Sequence, residues 1–553
     1  MALDLSKNAE YEGLGSMAAL AMAVFEQTGL RALVDSRFEI DPRTKLTPGN
    51  SVKALIGDMI GSRRRSALYN VSYPFLSAPM DLLFGPKVDS AALGGTAFAR
   101  NLDRLFRIDL PALTYDCYRR LADFYGLSSN VFNVDSTNFS ITALDKDADA
   151  EGAAVPERCG HSKDGKNKRL VYSLLSVTDS NRVVCYECPY DGATADSVMD
   201  RGAIEFLSSR VDAASATLIA DCKIATAPLV ELMESKGFGF VAKCPDNFGK
   251  RVKREIVDSV RTGTMDPSRI RDGWEIYDTD AEVDGRKLRF VAFRTSEDIA
   301  VGVEYLRDQG LREADARFGR FSSKTFNCEE DARRAIEEAV DGHRDSAYSV
   351  EWSIVPTEVS LGYGHRGRPR KGEAPRSRTE YAVRVELTFD EERAKALSQD
   401  RGVRVLVTNL PRADRDAGNI RFGATADTVL LSYLDQYKIE HAFRLEKDGM
   451  GMSRVYIHKP SRENAMMFVI SLATMLSEAI SCVLKSKGYG ITTEGMADRF
   501  VSLMLVHDRS SDSEHFEGPP SLAGEYLRYV EALGLDPDRL IHRATRSSPS
   551  PYQ

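Results

Sequence analysis

The spacing of apolar residues changes character near residue 130. Before it, apolar positions recur every three or four residues in Met17–Thr28, Ser51–Ser62, Gly95–Phe106 and Tyr115–Tyr125, with Pro, Gly and Ser between, which predicts a helical region over 1–128. Arg63, Arg64 and Arg65 follow the second helix as a basic cluster that suits phosphate contacts and plain solvation alike. From Asn130 the pattern turns extended. Val131–Ser140 is a short strand with Asp135 at its centre, and Leu170–Thr178 and Arg182–Tyr190 read as a hairpin joined by Asp179-Ser180-Asn181. Ala216–Ala220 is an apolar strand ending on Asp221, backed by a helix over Ala227–Gly237 and a strand over Phe238–Lys243.

Beyond Lys250 the chain becomes highly charged and mixed. Extended runs are expected over Gly273–Thr279, Lys287–Arg294, Tyr348–Thr357 and Tyr381–Phe389, and helices over Ile299–Gln309 and Glu329–Asp341. Val403–Asn409 is a further strand, and helices are expected over Glu463–Lys485, Glu494–Val506 and Ser521–Leu533. The pattern divides the chain into a helical region at 1–128, core segments at 129–250 and 403–485, an insertion of β-rich character at 251–402 between them, and a helical tail at 486–553. Ser547 onward is rich in Ser and Pro and is expected to be disordered.

Asp427–Gly449 reads as one helix, capped by Asp427 and ended by Gly449, with Leu430, Leu434 and Tyr437 facing the core. Tyr433, Gln436, Glu440, Arg444 and Lys447 follow at intervals of three or four and share the other face. Polar faces are the norm on surface helices, but a carboxylate flanked by hydrogen-bonding and cationic groups also suits a metal ligand beside a phosphate. Asp135 and Asp221 raise the same question. An Asp within a strand is disfavoured, and a desolvated carboxylate is costly unless paired or metal-bound. A turn or edge position, or a ligand role, would account for Asp135. Asp221 ends a buried strand with a helix behind it, where ligands bind in parallel α/β sheets.

Composition narrows the class. With 42% hydrophobic and 28% charged residues, no leader-like N-terminus and no apolar run of spanning length, a cytoplasmic protein is expected. Ala465–Leu476 reads as a buried helix. A net charge of −8 argues mildly against nucleic acid as a partner, although local patches decide binding. Cys185-x-x-Cys188, with Cys159 and His161 upstream, has zinc-ligand spacing, but buried cysteines on a strand explain it better.

Tyr433-x2-Gln436-x3-Glu440-x6-Lys447 resembles the Y-x2-R-x3-E-x6-K signature of DDE-type bacterial insertion-sequence transposases, with Gln in place of Arg. Asp135-Ser-Thr-x-Phe-Ser, the Gly160-His-Ser-Lys-Asp-Gly turn that carries Lys163, and Gly192-Ala-Thr-Ala-Asp196 also resemble that family. Asp221 continues with Cys222-Lys223, where the family often has Arg-Gly. The resemblance implies an α/β fold: a ribonuclease H-like mixed sheet flanked by helices, with a helical N-terminal domain that recognises DNA. It also implies Asp135, Asp221 and Glu440 as catalytic ligands of two Mg²⁺ or Mn²⁺ ions. Tyr433, Gln436, Arg444 and Lys447 would face DNA phosphates, joined by Lys163. Arg366 and Arg368, in an Arg-Gly-Arg-Pro run, suit a narrow minor groove, or form a flexible basic loop.

The implied activity is metal-dependent cleavage of double-stranded DNA at the terminal inverted repeats, then strand transfer to target DNA by the freed 3′-hydroxyl. A homodimer on DNA and a nucleoid-associated location go with it. The alternatives are a transposase-derived DNA-binding protein without activity, and a carboxylate-based hydrolase of another substrate, which needs two acids and no metal.

Overall fold

The computed structural model describes residues 11–62, 67–141, 158–160, 169–271, 273–343, 346–363, 368–369, 371–372, 374–449, 457 and 459–540. They form two compact units, Met1–Ala242 with Thr408–Gln553, and Lys243–Val407.

The first unit opens on a strand, β1 (Tyr11–Gly15), where a purely helical region was expected. Helices α1 (Ser16–Gln27), α2 (Leu30–Asp35), α3 (Pro48–Ser62), α4 (Met80–Phe84), α5 (Gly95–Leu105) and α6 (Leu110–Tyr125) follow. Small residues set how closely α1 and α3 approach. A Cβ on Gly61 would lie 2.8 Å from the Ala18 Cβ, and one on Gly57 would lie 2.9 Å from the Met22 Sδ. Lys53 of α3 is fully buried and donates to the Leu83 carbonyl at 2.6 Å, with Glu26 at 3.2 Å. Burial pulls its ammonium down to about 8 against the pull of Glu26.

Next come β2 (Val131–Ile141), β3 (Arg158–Gly160), β4 (Arg169–Asp179), β5 (Val184–Asp191), α7 (Asp196–Ser208), β6 (Thr217–Ala220), α8 (Ala227–Lys236) and β7 (Gly239–Lys243). Strands β2, β4 and β5 form an antiparallel meander, while β6 runs parallel to β2 and β7 parallel to β6. The resulting order is β5–β4–β2–β6–β7, with β3 also paired to β4.

The second unit holds α9 (Lys250–Thr262), β8 (Arg269–Arg271), β9 (Trp274–Val283), β10 (Arg286–Thr295), α10 (Ser296–Phe318), β11 (Thr325–Phe326), α11 (Glu329–Asp341), β12 (Tyr348–Gly362), β13 (Arg376–Phe389), α12 (Glu391–Arg401) and β14 (Arg404–Thr408). Its sheet runs β14–β10–β9–β8. The long β12–β13 hairpin, joined by β11, packs its inner face on Phe318, Phe321 and Ile336.

Returning to the first unit, α13 (Ala426–Leu434) and α14 (Tyr437–Arg444) are followed by a π-helical turn over Leu445–Gly449, then α15 (Pro460–Ser486) and α16 (Thr493–Arg499). The last elements are β15 (Met504–Asp508), β16 (Ser513–Glu517) and α17 (Pro520–Ala532). The tail is therefore not wholly helical. Residues 504–506, expected in a helix, pair with β1, and Leu14, Leu505 and Val506 are buried in that small sheet. Helix α15 is long and apolar enough to cross a membrane, but 89% of its apolar window lies inside the protein, as in a core helix.

The expected single helix over 427–449 is two helices and a π-turn. Thr425, not Asp427, caps the start by accepting the Thr428 N–H at 3.2 Å. Asp435 ends α13, and the Gln436 and Ile439 amides bond three residues back, which tightens the chain between the helices. The break turns the buried face. Ile439, Ala442 and Phe443 are buried, whereas Tyr437, expected in the core, is 50% exposed.

Candidate functional site

The parallel pairing of β2 with β6 builds the site. Val134 pairs with Ala220, the last residue of β6, so Asp135 on β2 and Asp221 just past the end of β6 both follow that pair, on strands spaced about 5 Å apart. Both are partly accessible. The Asp135 Oδ1 accepts the Ser136 N–H at 2.7 Å, and the Asp221 Oδ1 accepts the Lys223 N–H at 2.8 Å.

Helix α7 brings two more acids to this end of the sheet. Asp196 accepts from the Ser136 hydroxyl at 3.1 Å and pairs with the Lys223 ammonium at 3.2 Å. Asp200 is buried, and its Oδ2 has no hydrogen-bond partner. Burial, with Asp221, Asp196 and Asp135 nearby, pushes its carboxyl up to about 7. Burial pulls Lys223 down, but Asp196, Asp221 and Asp135 outweigh it and hold the ammonium above the ordinary lysine value. Sequence reasoning missed the parts played by Asp200 and Lys223. Asp200 comes in on α7 and Lys223 in the turn after Asp221, and their meeting with Asp135 and Asp196 leaves no local pattern.

Helix α14 packs on β2 and β4. Of its polar face, Glu440 and Arg444 are exposed, and Tyr433 and Gln436 are half-buried beside the break. Lys447, in the π-turn, donates to the Thr137 hydroxyl at 2.8 Å, two residues beyond Asp135 on β2. The structure thus brings Asp135 and Asp221 together and sets Lys447 on the same strand. It does not bring Glu440 into a ligand group with them: among the described residues, no three His, Cys, Asp or Glu side chains are grouped to hold a metal ion.

The basic candidates fall elsewhere. Lys163, Arg366 and the cluster Arg63–Arg65 lie outside the described residues, as does His161. Arg368 is exposed between β12 and β13. Cys185 is buried and donates to the Val177 carbonyl at 3.2 Å, and Cys188 donates to the Pro189 carbonyl at 3.8 Å, so each thiol has a protein acceptor.

Register also links Asp135 to the interior. Asp135 pairs with Ser176 of β4, and Ser176 with Glu187 of β5, so the three side chains form a row on one face of the sheet. The Ser176 hydroxyl donates to the Glu187 Oε1 at 3.0 Å, and the Glu446 carboxylate of the π-turn meets Glu187 there.

Residues 14–117, which cover much of the helical region, match a family described as Domain of unknown function (DUF4277). A comparison with curated proteins finds no match.

Proposed function

We propose that the chain is a DDE-type insertion-sequence transposase, a metal-dependent DNA endonuclease and strand transferase with a ribonuclease H-like core. The observation that carries this reading is that Asp135 of β2 and Asp221, at the carboxyl end of β6, directly follow the parallel pair Val134–Ala220. They lie at a sheet of order β5–β4–β2–β6–β7 whose first three strands form a meander, with α14, which carries the exposed Glu440, packed on β2 and β4.

The donors fit a hard divalent cation. They are carboxylate oxygens, which favour Mg²⁺ or Mn²⁺ over zinc, and the buried Asp200 beside them has an oxygen without a partner. Asp135, Asp221 and Glu440 would hold the ions, which supply charge neutralisation on the attacking and leaving oxygens of a phosphodiester. The chain's own groups do the rest. Lys447, held on β2 by Thr137, presents a point charge to a phosphate beside the cleaved one. Arg444, exposed one turn beyond Glu440, offers the guanidinium that Gln436 lacks. Lys223 balances the acids through Asp196. The helical region and the basic loops bearing Lys163, Arg366 and Arg368 bind the terminal inverted repeats. A dimer on the DNA, in the cytoplasm and on the nucleoid, completes the proposal.

The experiment is nicking of DNA that carries the ends of the surrounding element, in Mg²⁺ and in chelator. Cleavage in Mg²⁺ alone supports the reading. Cleavage in chelator, or binding with no cleavage in either Mg²⁺ or Mn²⁺, sinks it. Binding without cleavage would fit the second reading, a transposase-derived DNA-binding protein, which one observation favours: Lys223 supplies a fixed cation among Asp135, Asp196 and Asp221.

A further inference from the structure

We propose that Glu187 and Glu446 share one proton and form a latch that positions Lys447 on the sheet beside Asp135. The proposal rests on the reading above for what Lys447 touches; the latch itself rests on the burial of the two carboxylates and the bonds around them.

The two carboxylates come from different elements, Glu187 from β5 and Glu446 from the π-turn, and meet inside the protein. Glu187 is 5% exposed and Glu446 0%. Among the described residues no donor reaches either oxygen of Glu446, whereas the Glu187 Oε1 accepts from Ser176 at 3.0 Å. Two buried carboxylates in contact cannot both stay ionised without a cation. One proton between them turns the repulsion into a hydrogen bond and satisfies an oxygen that is otherwise orphaned.

The surroundings leave that role to the proton. From β4 the neighbour is Ser176, and from α15 it is Ser471, both hydroxyls. His441 of α14 lies against Glu478 at 2.9 Å. Asp135 lies two strands away in the same row. Lys447 is the cation that bears on Glu446, and its ammonium is bonded to Thr137 at 2.8 Å. Burial drives Glu187 up to about 7, and burial with repulsion from Glu187 drives Glu446 well above the carboxylate range.

The π-turn explains why holding Glu446 holds Lys447. The widened turn carries adjacent side chains in different directions, Glu446 into the core and Lys447 to β2. Fixing the first fixes the backbone of the second. Glu187 also lines a cleft of about 230 Å³ with Cys188, Asn464 and Met467, which gives the proton a route to solvent.

The sign follows from the raised values. The folded pair binds a proton that the unfolded chain releases near the ordinary glutamate value. The latch is therefore closed at acid pH and opens only as pH rises above the ordinary glutamate range, past the raised Glu446 value.

The test is amide hydrogen exchange over Leu445–Gly449 in the full chain, as protection factors that divide out the base-catalysed rate. Protection should fall on the order of tenfold or more between about pH 6 and about pH 9 in the parent. It should stay level in Glu446→Gln, whose amide donates to Glu187 at every pH. Glu187→Gln supplies the same comparison if the first variant does not fold. The infrared carbonyl stretch of protonated carboxylic acid should be stronger in the parent at neutral pH than in Glu446→Gln, the difference being the shared proton, over the band that other buried acids such as Asp200 contribute to both. Level protection in the parent, an unchanged pH response in both variants, or an infrared band equal in parent and Glu446→Gln would overturn the latch. A parent that never cleaves DNA yet shows the pH-dependent protection overturns the transposase reading and leaves the latch standing.

Discussion

At the scale of single residues, the site depends on where each carboxylate sits. Glu440 is exposed on α14, while Asp135 and Asp221 are set by the strands, so substituting each tests a different thing. Glu440→Ala removes negative charge near the DNA and touches no buried contact. It should bind DNA as well as the parent or slightly better in a gel shift, while Mg²⁺-dependent nicking falls by orders of magnitude. Asp179 shows what burial does without a role in the site. Its carboxylate accepts from Asn181 N–H at 2.8 Å, Val183 N–H at 3.0 Å and the Tyr118 hydroxyl at 3.2 Å. Burial still pushes it up to about 6, because desolvation outweighs those bonds. A value raised above the unfolded one gives stability that is present in acid and lost as pH rises through about 6. Asp179→Asn loses donors' partners at every pH, by about 1–3 kcal/mol. Its cost, from urea denaturation over a pH series, should be largest near pH 4 and shrink towards neutrality. A cost that grows with pH would show that Asp179 is ionised and stabilising.

At the scale of elements, the strands were the most legible part. The hairpin over β4 and β5 and the acid-bearing β2 and β6 could be read from alternation and turn residues, because local pattern decides them. Helix α11 fell on the expected Glu329–Asp341 for the same reason. The break between α13 and α14 could not be read that way. Neither Asp435 nor Gln436 stops a helix, and the turn is imposed by packing of Ile439, Ala442 and Phe443. Strand β15 sits between β16, which follows it in the sequence, and β1, which lies at the opposite end, and the second of these pairings leaves no local periodicity. Asp200 and Lys223 were invisible as site residues for a similar reason: their neighbourhood joins groups from α7, β2 and the turn after β6. The close approach of α1 and α3 gives an element-level prediction. Gly61→Val would drive a branched side chain into Ala18 and should cost about 1–3 kcal/mol, or more if the helices cannot part. Denaturant midpoints check it, and an unchanged midpoint would mean that the helices separate without loss.

At the scale of the whole molecule, the chain interrupts one compact unit with another. The expected insertion at 251–402 lies within the second unit, Lys243–Val407, whose long β12–β13 hairpin carries the exposed Arg368. If the basic residues between these strands hold phosphates, Arg366→Ala with Arg368→Ala should weaken DNA binding and flatten its salt dependence. The slope of log affinity against log salt should fall by roughly 1–2, while cleavage persists at high protein. An unchanged slope would remove these arginines from the interface. The central claim is the proposal that Asp135 of β2 and Asp221 at the end of β6, joined by Glu440 of α14, cut DNA through divalent metal. The most direct measurement is strand cleavage of element-end DNA in Mn²⁺ by the parent and by Asp135→Ala, Asp221→Ala and Glu440→Ala, with binding recorded in parallel. The account predicts cleavage by the parent, its loss by orders of magnitude in all three variants, and binding retained throughout. Cleavage at the parent's rate by any one of the three would contradict it.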